Sequence, residues 1–198
     1  MKTRTTALLG LIAMSGLVFA QTGPPSKATI DKPVSDFKLK DVMHDTKDGE
    51  KPEASQIALA QFKEKKPVVM FFMSERCGTT WKYEKRLGKL MKDHAKDIAF
   101  LGIRCSANDT PQSIRKFAET RNFAMPVLND EKGEVTSYYK VTNTPTFVLL
   151  DKDEVMRYRG SFDDNADASA VKENYLADAI TAVLANKQVA TKMTQPFG

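Results

Sequence analysis

The stretch PVVMFFM, residues 67–73, does most to narrow what this chain can fold into. It is an uncharged run flanked by lysines on one side and by Ser-Glu-Arg on the other. Its length and its valines and phenylalanines are those of a strand rather than a helix. It shows no alternation of polar and apolar residues, so it is predicted to be buried on both faces. Strands of that kind belong to sheets covered by helices on both sides. The neighbouring segments agree. In SERCGTTWKYEKRL, residues 74–87, a helical pattern begins at Cys77. Trp81, Leu87, Leu90 and Met91 recur at helical spacing, which predicts one helix over residues 77–95. DIAFLGIRC is a second buried strand. TPQSIRKFAETRN is a second helix, with Thr110 as its N-cap and Pro111 at its first position.

The remaining segments complete the order. SDFKLKDV alternates as a short strand. The segment after Pro52 has helix character, with Ile57, Leu59, Ala60 and Phe62 as its contacts. FAMPVLND is a short strand and EKGEVTSYYKV a short helix. TPTFVLLDKDEVMRYRG is two strands joined by the turn residues Asp151, Lys152 and Asp153. KENYLADAITAVLANK is a final helix. Crossovers between parallel strands, then an antiparallel pair, predict an α/β three-layer sandwich (α/β/α) with one mixed central sheet.

The first twenty residues stand apart. Lys2 and Arg4 precede an apolar stretch over residues 7–19, and Val18 and Ala20 are the small residues of a signal-peptidase site. The expectation is an exported protein, periplasmic or extracellular, cleaved before Gln21. Residues 21–33 would then be a flexible mature N-terminus, 34–187 one domain and 188–198 a tail. Net charge is +5, and Lys2 and Arg4 account for two of those charges. The rest are mixed in sign, as in DKDEVMRYR, which argues for a solvated surface and against nucleic acid as a partner. Two cysteines in an exported chain are too few for a disulfide-stapled scaffold, so packing must supply the core.

Chemistry concentrates at Cys77. A cysteine that ends a buried strand and starts a helix faces N–H groups without intrahelical partners, and these favour an anion. Arg76 adds positive charge. Such surroundings stabilise the thiolate, the nucleophile of disulfide exchange. Three residues on, Thr80 places a hydroxyl within reach of the sulfur. The other reading is a buried, inert thiol. Thr144–Pro145 directly precedes a strand, where a cis bond would turn backbone groups toward a neighbouring site; a trans proline at a strand start is the alternative. His44 and His94 lie in dissimilar contexts and make no ligand spacing with a cysteine, so no metal and no cofactor is expected. DDNAD, residues 163–167, spaces oxygens like a calcium loop but lacks its Gly and distal Glu, and reads as a solvated turn.

This arrangement resembles the thioredoxin fold over roughly residues 34–187. In VVMFFMSERCGTTWKYEKRL, TPTFVLLD and YRGSFDDN it is similar to the peroxiredoxin-like branch of the redoxins, the alkyl hydroperoxide reductase/thiol-specific antioxidant group. The resemblance implies a thioredoxin-like fold and thiol or disulfide partners, with Thr144 and Pro145 positioning a substrate backbone. There are departures. Thioredoxins carry a second cysteine where this chain has Thr80. The peroxiredoxin Pro-x-x-x-Thr-x-x-Cys pattern is also absent: Met70 and Ser74 stand at the proline and threonine places. Cys77 then works without a partner in its own helix turn. Resolution of a mixed disulfide falls to an external thiol reductant or to Cys105, at the end of the adjacent strand, whose other reading is a packed thiol. The expected function is thiol–disulfide oxidoreductase through Cys77, with a thiol peroxidase or a non-catalytic binding module as alternatives.

Overall fold

The computed structural model describes residues 27–44 and 55–197. The expected signal segment, residues 1–20, lies outside the described residues. β3 (Val68–Met73) is buried at all six positions. It lies inside a seven-stranded sheet whose strands run in the order β2 (Gln56–Ala58), β1 (Lys38–Asp41), β5 (Val127–Asn129), β4 (Ala99–Arg104), β3, β6 (Thr146–Leu150), β7 (Met156–Gly160). β4 (Ala99–Arg104) pairs with it in parallel, Phe71 opposite Gly102. β6 (Thr146–Leu150) pairs on its other side antiparallel, Phe71 opposite Phe147. β5 (Val127–Asn129) continues the parallel half, and β7 (Met156–Gly160) the antiparallel one. The sheet is mixed, as expected.

Alternate residues of β3 feed two cores. Phe71 and Met73 meet Leu87, Ile114, Phe147 and Leu176 on one face. Met70 and Phe72 meet Leu59, Leu101, Val135 and Tyr139 on the other. Each buried large side chain contributes about 1.5–3 kcal/mol by leaving water, and the Phe71 and Phe147 rings stack at 4.9 Å. The first face carries α1 (Gly78–Lys82), α2 (Glu84–Asp93), α3 (Pro111–Thr120) and α5 (Tyr175–Leu184), and the second carries α4 (Glu134–Tyr138). Helices on both faces of one sheet make the α/β/α sandwich. α3 starts where its sequence says: Thr110 Oγ1 accepts from Ser113 N at 3.0 Å and Ser113 Oγ from Thr110 N at 2.9 Å.

Three local expectations are corrected. The segment after Pro52 is not a helix over its described part. Gln56–Ala58 form β2, paired antiparallel with β1 (Lys38–Asp41), and Leu59–Gln61 make a single 3₁₀ turn. Pairing with β1 and burial of Leu59 override the helix propensity of Ala and Gln. The helix of residues 77–95 is divided at Tyr83, whose N–H bonds the carbonyl three residues back at 3.3 Å. Trp81 is not core but 46% exposed.

Both ends of the described chain pack on the domain. Ala28 N donates to Tyr138 O at 2.8 Å and Val34 N to Glu154 O at 3.0 Å. At the other end Arg159 N donates to Lys192 O at 3.0 Å and Thr194 N to Arg159 O at 3.2 Å, so this segment lies along the outer edge of β7. No helix of the described residues is long and apolar enough to cross a membrane.

Candidate active site

Cys77 is the N-cap of α1, at the end of the loop that leaves β3. That loop is pinned from below. Asp109 Oδ2 accepts from Glu75 N at 3.0 Å, and Ser74 Oγ from Arg76 N at 3.2 Å. Arg104, buried at the end of β4, donates through Nε to Asp109 O at 2.8 Å and through Nη1 to Asn129 Oδ1 at 2.6 Å. β3, β4 and β5 therefore fix the loop jointly.

The thiol meets the other half of the site across the sheet edge. Thr144–Pro145 is a cis peptide, and Cys77 Sγ donates to Thr144 O at 2.9 Å. Burial is the strongest influence on this thiol and disfavours the thiolate. The Thr144 hydroxyl, the Thr80 N–H and hydroxyl and the Thr79 N–H act against it, and together they hold the pKa below its ordinary value. Thr80 Oγ1 is buried and has no partner while Cys77 is protonated, so its proton is available to the thiolate. Cys77, Thr80, Thr144 and Pro145 thus come together. Arg76 takes a different course. Its side chain is 68% exposed and its Nε lies 3.9 Å from Asp109 Oδ1. The strongest influences that lower the Cys77 pKa are hydroxyls and N–H groups of Thr144, Thr80 and Thr79. The five-residue α1 also offers less of a dipole than the long helix expected.

Cys105 follows β4. Its thiol donates to Met73 O at 3.4 Å, and burial, reinforced by the charges of Asp130 and Asp109, pushes it up to about 12. Both cysteines are free thiols.

Beneath α2 sits a pair the sequence did not assign, a half-buried arginine on a buried carboxylate. The Arg86 guanidinium bonds the Asp163 carboxylate and donates to Asn165 O at 3.0 Å and Ala166 O at 2.8 Å. It also lies 4.4 Å from the centre of the Tyr83 ring. DDNAD is therefore not simply a solvated turn, because Asp163 is fully buried. Burial raises the Asp163 pKa although Arg86 pulls it down. Trp81 stands at the rim, its Nε1 donating to Glu75 O at 3.1 Å and Arg121 5.1 Å from its ring. The signal for Arg86 and Asp163 was present in the YEKRL and YRGSFDDN motifs; Asp109 and Arg104 carried none. Among the described residues no group of three or more His, Cys, Asp or Glu is placed to hold a metal.

The AhpC/TSA family model matches residues 30–159, from the N-terminal segment through the Cys77 loop and Thr144–Pro145 to β7. The chain belongs to the AhpC/TSA family. This AhpC/TSA protein is 29% identical over 153 residues to the thioredoxin-like protein YneN of Bacillus subtilis, covering 76% of this chain and 83% of that protein. Its fold is similar to that of the hypothetical protein SMc02350 of Sinorhizobium meliloti, with a TM-score of 0.73 and 25% identity over 87% of this chain and 93% of that one. An uncharacterized conserved protein of Geobacillus kaustophilus superposes with a TM-score of 0.72 at 25% identity, over 85% of this chain and 88% of that one. The AhpC/TSA chain is a redoxin with the thioredoxin fold.

Proposed function

We propose that this redoxin is an exported thiol–disulfide oxidoreductase that works through Cys77 alone. The observation that carries the reading is the meeting of Cys77 with Thr80 and Thr144–Pro145, which lowers the thiol pKa at the C-terminal edge of β3. The Cys77 thiolate attacks one sulfur of a disulfide R–S–S–R′. A Cys77–S–S–R bond forms, and R′S⁻ leaves and takes a proton. Thr80 stands where a paired motif has its second thiol and has no sulfur to attack with. Cys105 is almost entirely protonated at neutral pH, because its pKa is pushed up to about 12. Release therefore falls to an external thiolate R″S⁻, which attacks the mixed disulfide, forms R–S–S–R″ and returns Cys77 as thiolate. Backbone groups at Thr144 and Pro145 would hold the substrate chain. Export rests on the sequence of residues 1–20, and the intact mass of protein from the extracytoplasmic fraction should lack them.

The mechanism is tested by adduct lifetime. On non-reducing gels the wild type should form long-lived adducts with disulfide substrates, and Cys77→Ser none. Thr80→Cys should shorten the adduct lifetime and raise reductase turnover. If the wild type forms no adduct with any disulfide and Thr80→Cys gains no activity, exchange is wrong and a non-catalytic binding module takes its place.

A further inference from the structure

A cleft of about 270 Å³ adjoins the Thr144–Pro145 turn. Thr142 and Thr146, which bracket that turn, form part of its wall, and Gln195 of the C-terminal segment contributes another part. Two residues of chain span at most about 7 Å, so Thr142 lies close to Thr144, whose carbonyl holds the Cys77 thiol. Lys140 and Arg159 are the charged residues of the lining, and no carboxylate is among them.

The charge on Arg159 is unusual in its surroundings. Two residues earlier on β7, Arg157 lies 3.0 Å from Asp31 and 2.7 Å from Asp151. Arg159 has no such counter-ion among the described residues. It donates through Nη1 to Tyr139 O at 3.1 Å, which leaves Nε and Nη2 without an acceptor among the described residues. It is half-buried, and burial lowers its pKa with no charged partner opposing it. Arginine nevertheless stays protonated. Lys140 is exposed, and no described carboxylate pairs with it. A half-buried cation with no counter-ion among the described residues, and with part of its fork of donors open to a polar cleft, is suited to a carboxylate that arrives with a ligand.

We infer that this cleft binds a carboxylate carried by the disulfide substrate, close to the sulfur that Cys77 attacks, so that the enzyme selects anionic disulfides. The inference deepens the exchange reading of the same site and rests on it for the identity of the ligand. Two sources share the chemistry: a small disulfide with free carboxylates, such as glutathione disulfide, and a peptide disulfide with an acidic residue beside its cysteine.

The test separates binding from exchange. In the redox-inert Cys77→Ser protein, titration followed by amide chemical shifts should show glutathione disulfide, or a Glu-flanked peptide disulfide, binding about tenfold more tightly than its neutral counterpart, hydroxyethyl disulfide or the Gln-flanked peptide. The arm that shows the preference identifies the source. Arg159→Gln should abolish the preference, and Arg159→Lys should restore part of it. Lys140→Gln, an exposed change that leaves the fold intact, should reduce it. Lys152→Gln, which removes the same charge at the distant β6–β7 turn, should leave it unchanged. In the Cys77-intact protein the same ratio should appear in the rate of adduct formation. Equal binding of anionic and neutral ligands overturns the cleft, as does a preference that survives both Arg159→Gln and Lys140→Gln. If the preference is present in Cys77→Ser but the Cys77-intact protein exchanges with no disulfide, the cleft stands as an anion site and the exchange mechanism falls.

Discussion

At the scale of single residues, two thiols of one chain are driven in opposite directions by their neighbours. Cys77 loses some solvation but gains donors from Thr144, Thr80 and Thr79. Cys105 loses solvation and faces the charges of Asp130 and Asp109. Iodoacetamide should therefore label Cys77 with a midpoint below the free-thiol value of about 8.5 and leave Cys105 largely unlabelled across the same range. Thr80→Val keeps the shape and removes the hydroxyl. Its alkylation rate at neutral pH should fall several-fold, roughly what one hydrogen bond to an anion confers; an unchanged rate would remove Thr80 from the mechanism. Cys105 also has a consequence for stability. Its folded pKa is raised, so its contribution is fully present below the unfolded value of about 8.5 and is lost as pH rises toward about 12. Over that window the unfolded chain has released a proton that the folded chain retains, and stability falls by at most about 1.4 kcal/mol per pH unit. Urea melts from pH 8 to 10.5 should show a shallower decline in Cys105→Ala than in wild type. Parallel declines would mean that the burial of Cys105 is not felt.

At the scale of elements, the division of the active-site helix at Tyr83 coincides with a clamp. Tyr83 is fully buried, its ring lies under Arg86, and Arg86 grips the loop after β7 through Asp163, Asn165 and Ala166. The clamp ties the helices that begin at Cys77 to the antiparallel half of the sheet. Asp163→Asn leaves a guanidinium largely withdrawn from water without its charge partner, which should cost about 3–5 kcal/mol in equilibrium denaturation. Replacing both, as Arg86→Met with Asp163→Leu, should cost less than that single change, because no charge remains buried. The opposite order would show that the carboxylate matters for something other than pairing Arg86. The motifs YEKRL and YRGSFDDN were visible as separate stretches of sequence. That they are one structural device was not, since residues 77 positions apart meet only through the sheet.

For the whole molecule, the C-terminal segment closes the β7 edge. Gly160 makes this possible: a Cβ there would stand 2.0 Å from Thr194 Oγ1 and 2.8 Å from Thr194 N. Thr194 Oγ1 in turn accepts from Ser161 N at 2.9 Å and lies 2.7 Å from Tyr158 Oη. Gly160→Ala should displace the segment and destabilise the protein by about 1–3 kcal/mol. The Arg159 amide, which donates to Lys192 O, should then exchange its hydrogen faster. Retained protection with unchanged stability would show that the segment is not held by this contact.

What the chain determined by itself is what local physics can write into consecutive residues. A charge-free run of valine and phenylalanine has no solvent face, so it had to be a central strand. Thr110, Pro111 and Ser113 specify a helix start through bonds within one turn. A cysteine after such a strand, and Thr-Pro before another, marked where to look for the site. Tertiary structure decided whatever depends on distant partners. Pairing with β1 made a strand of residues 56–58. Asp109, 33 positions from Arg76 in the sequence, sets that side chain 3.9 Å away from its carboxylate. Folding, which no single stretch encodes, set hydrogen bonds from Thr144, Thr80 and Thr79 against burial at Cys77, let burial prevail at Cys105, and left Arg159 without a counter-ion among the described residues.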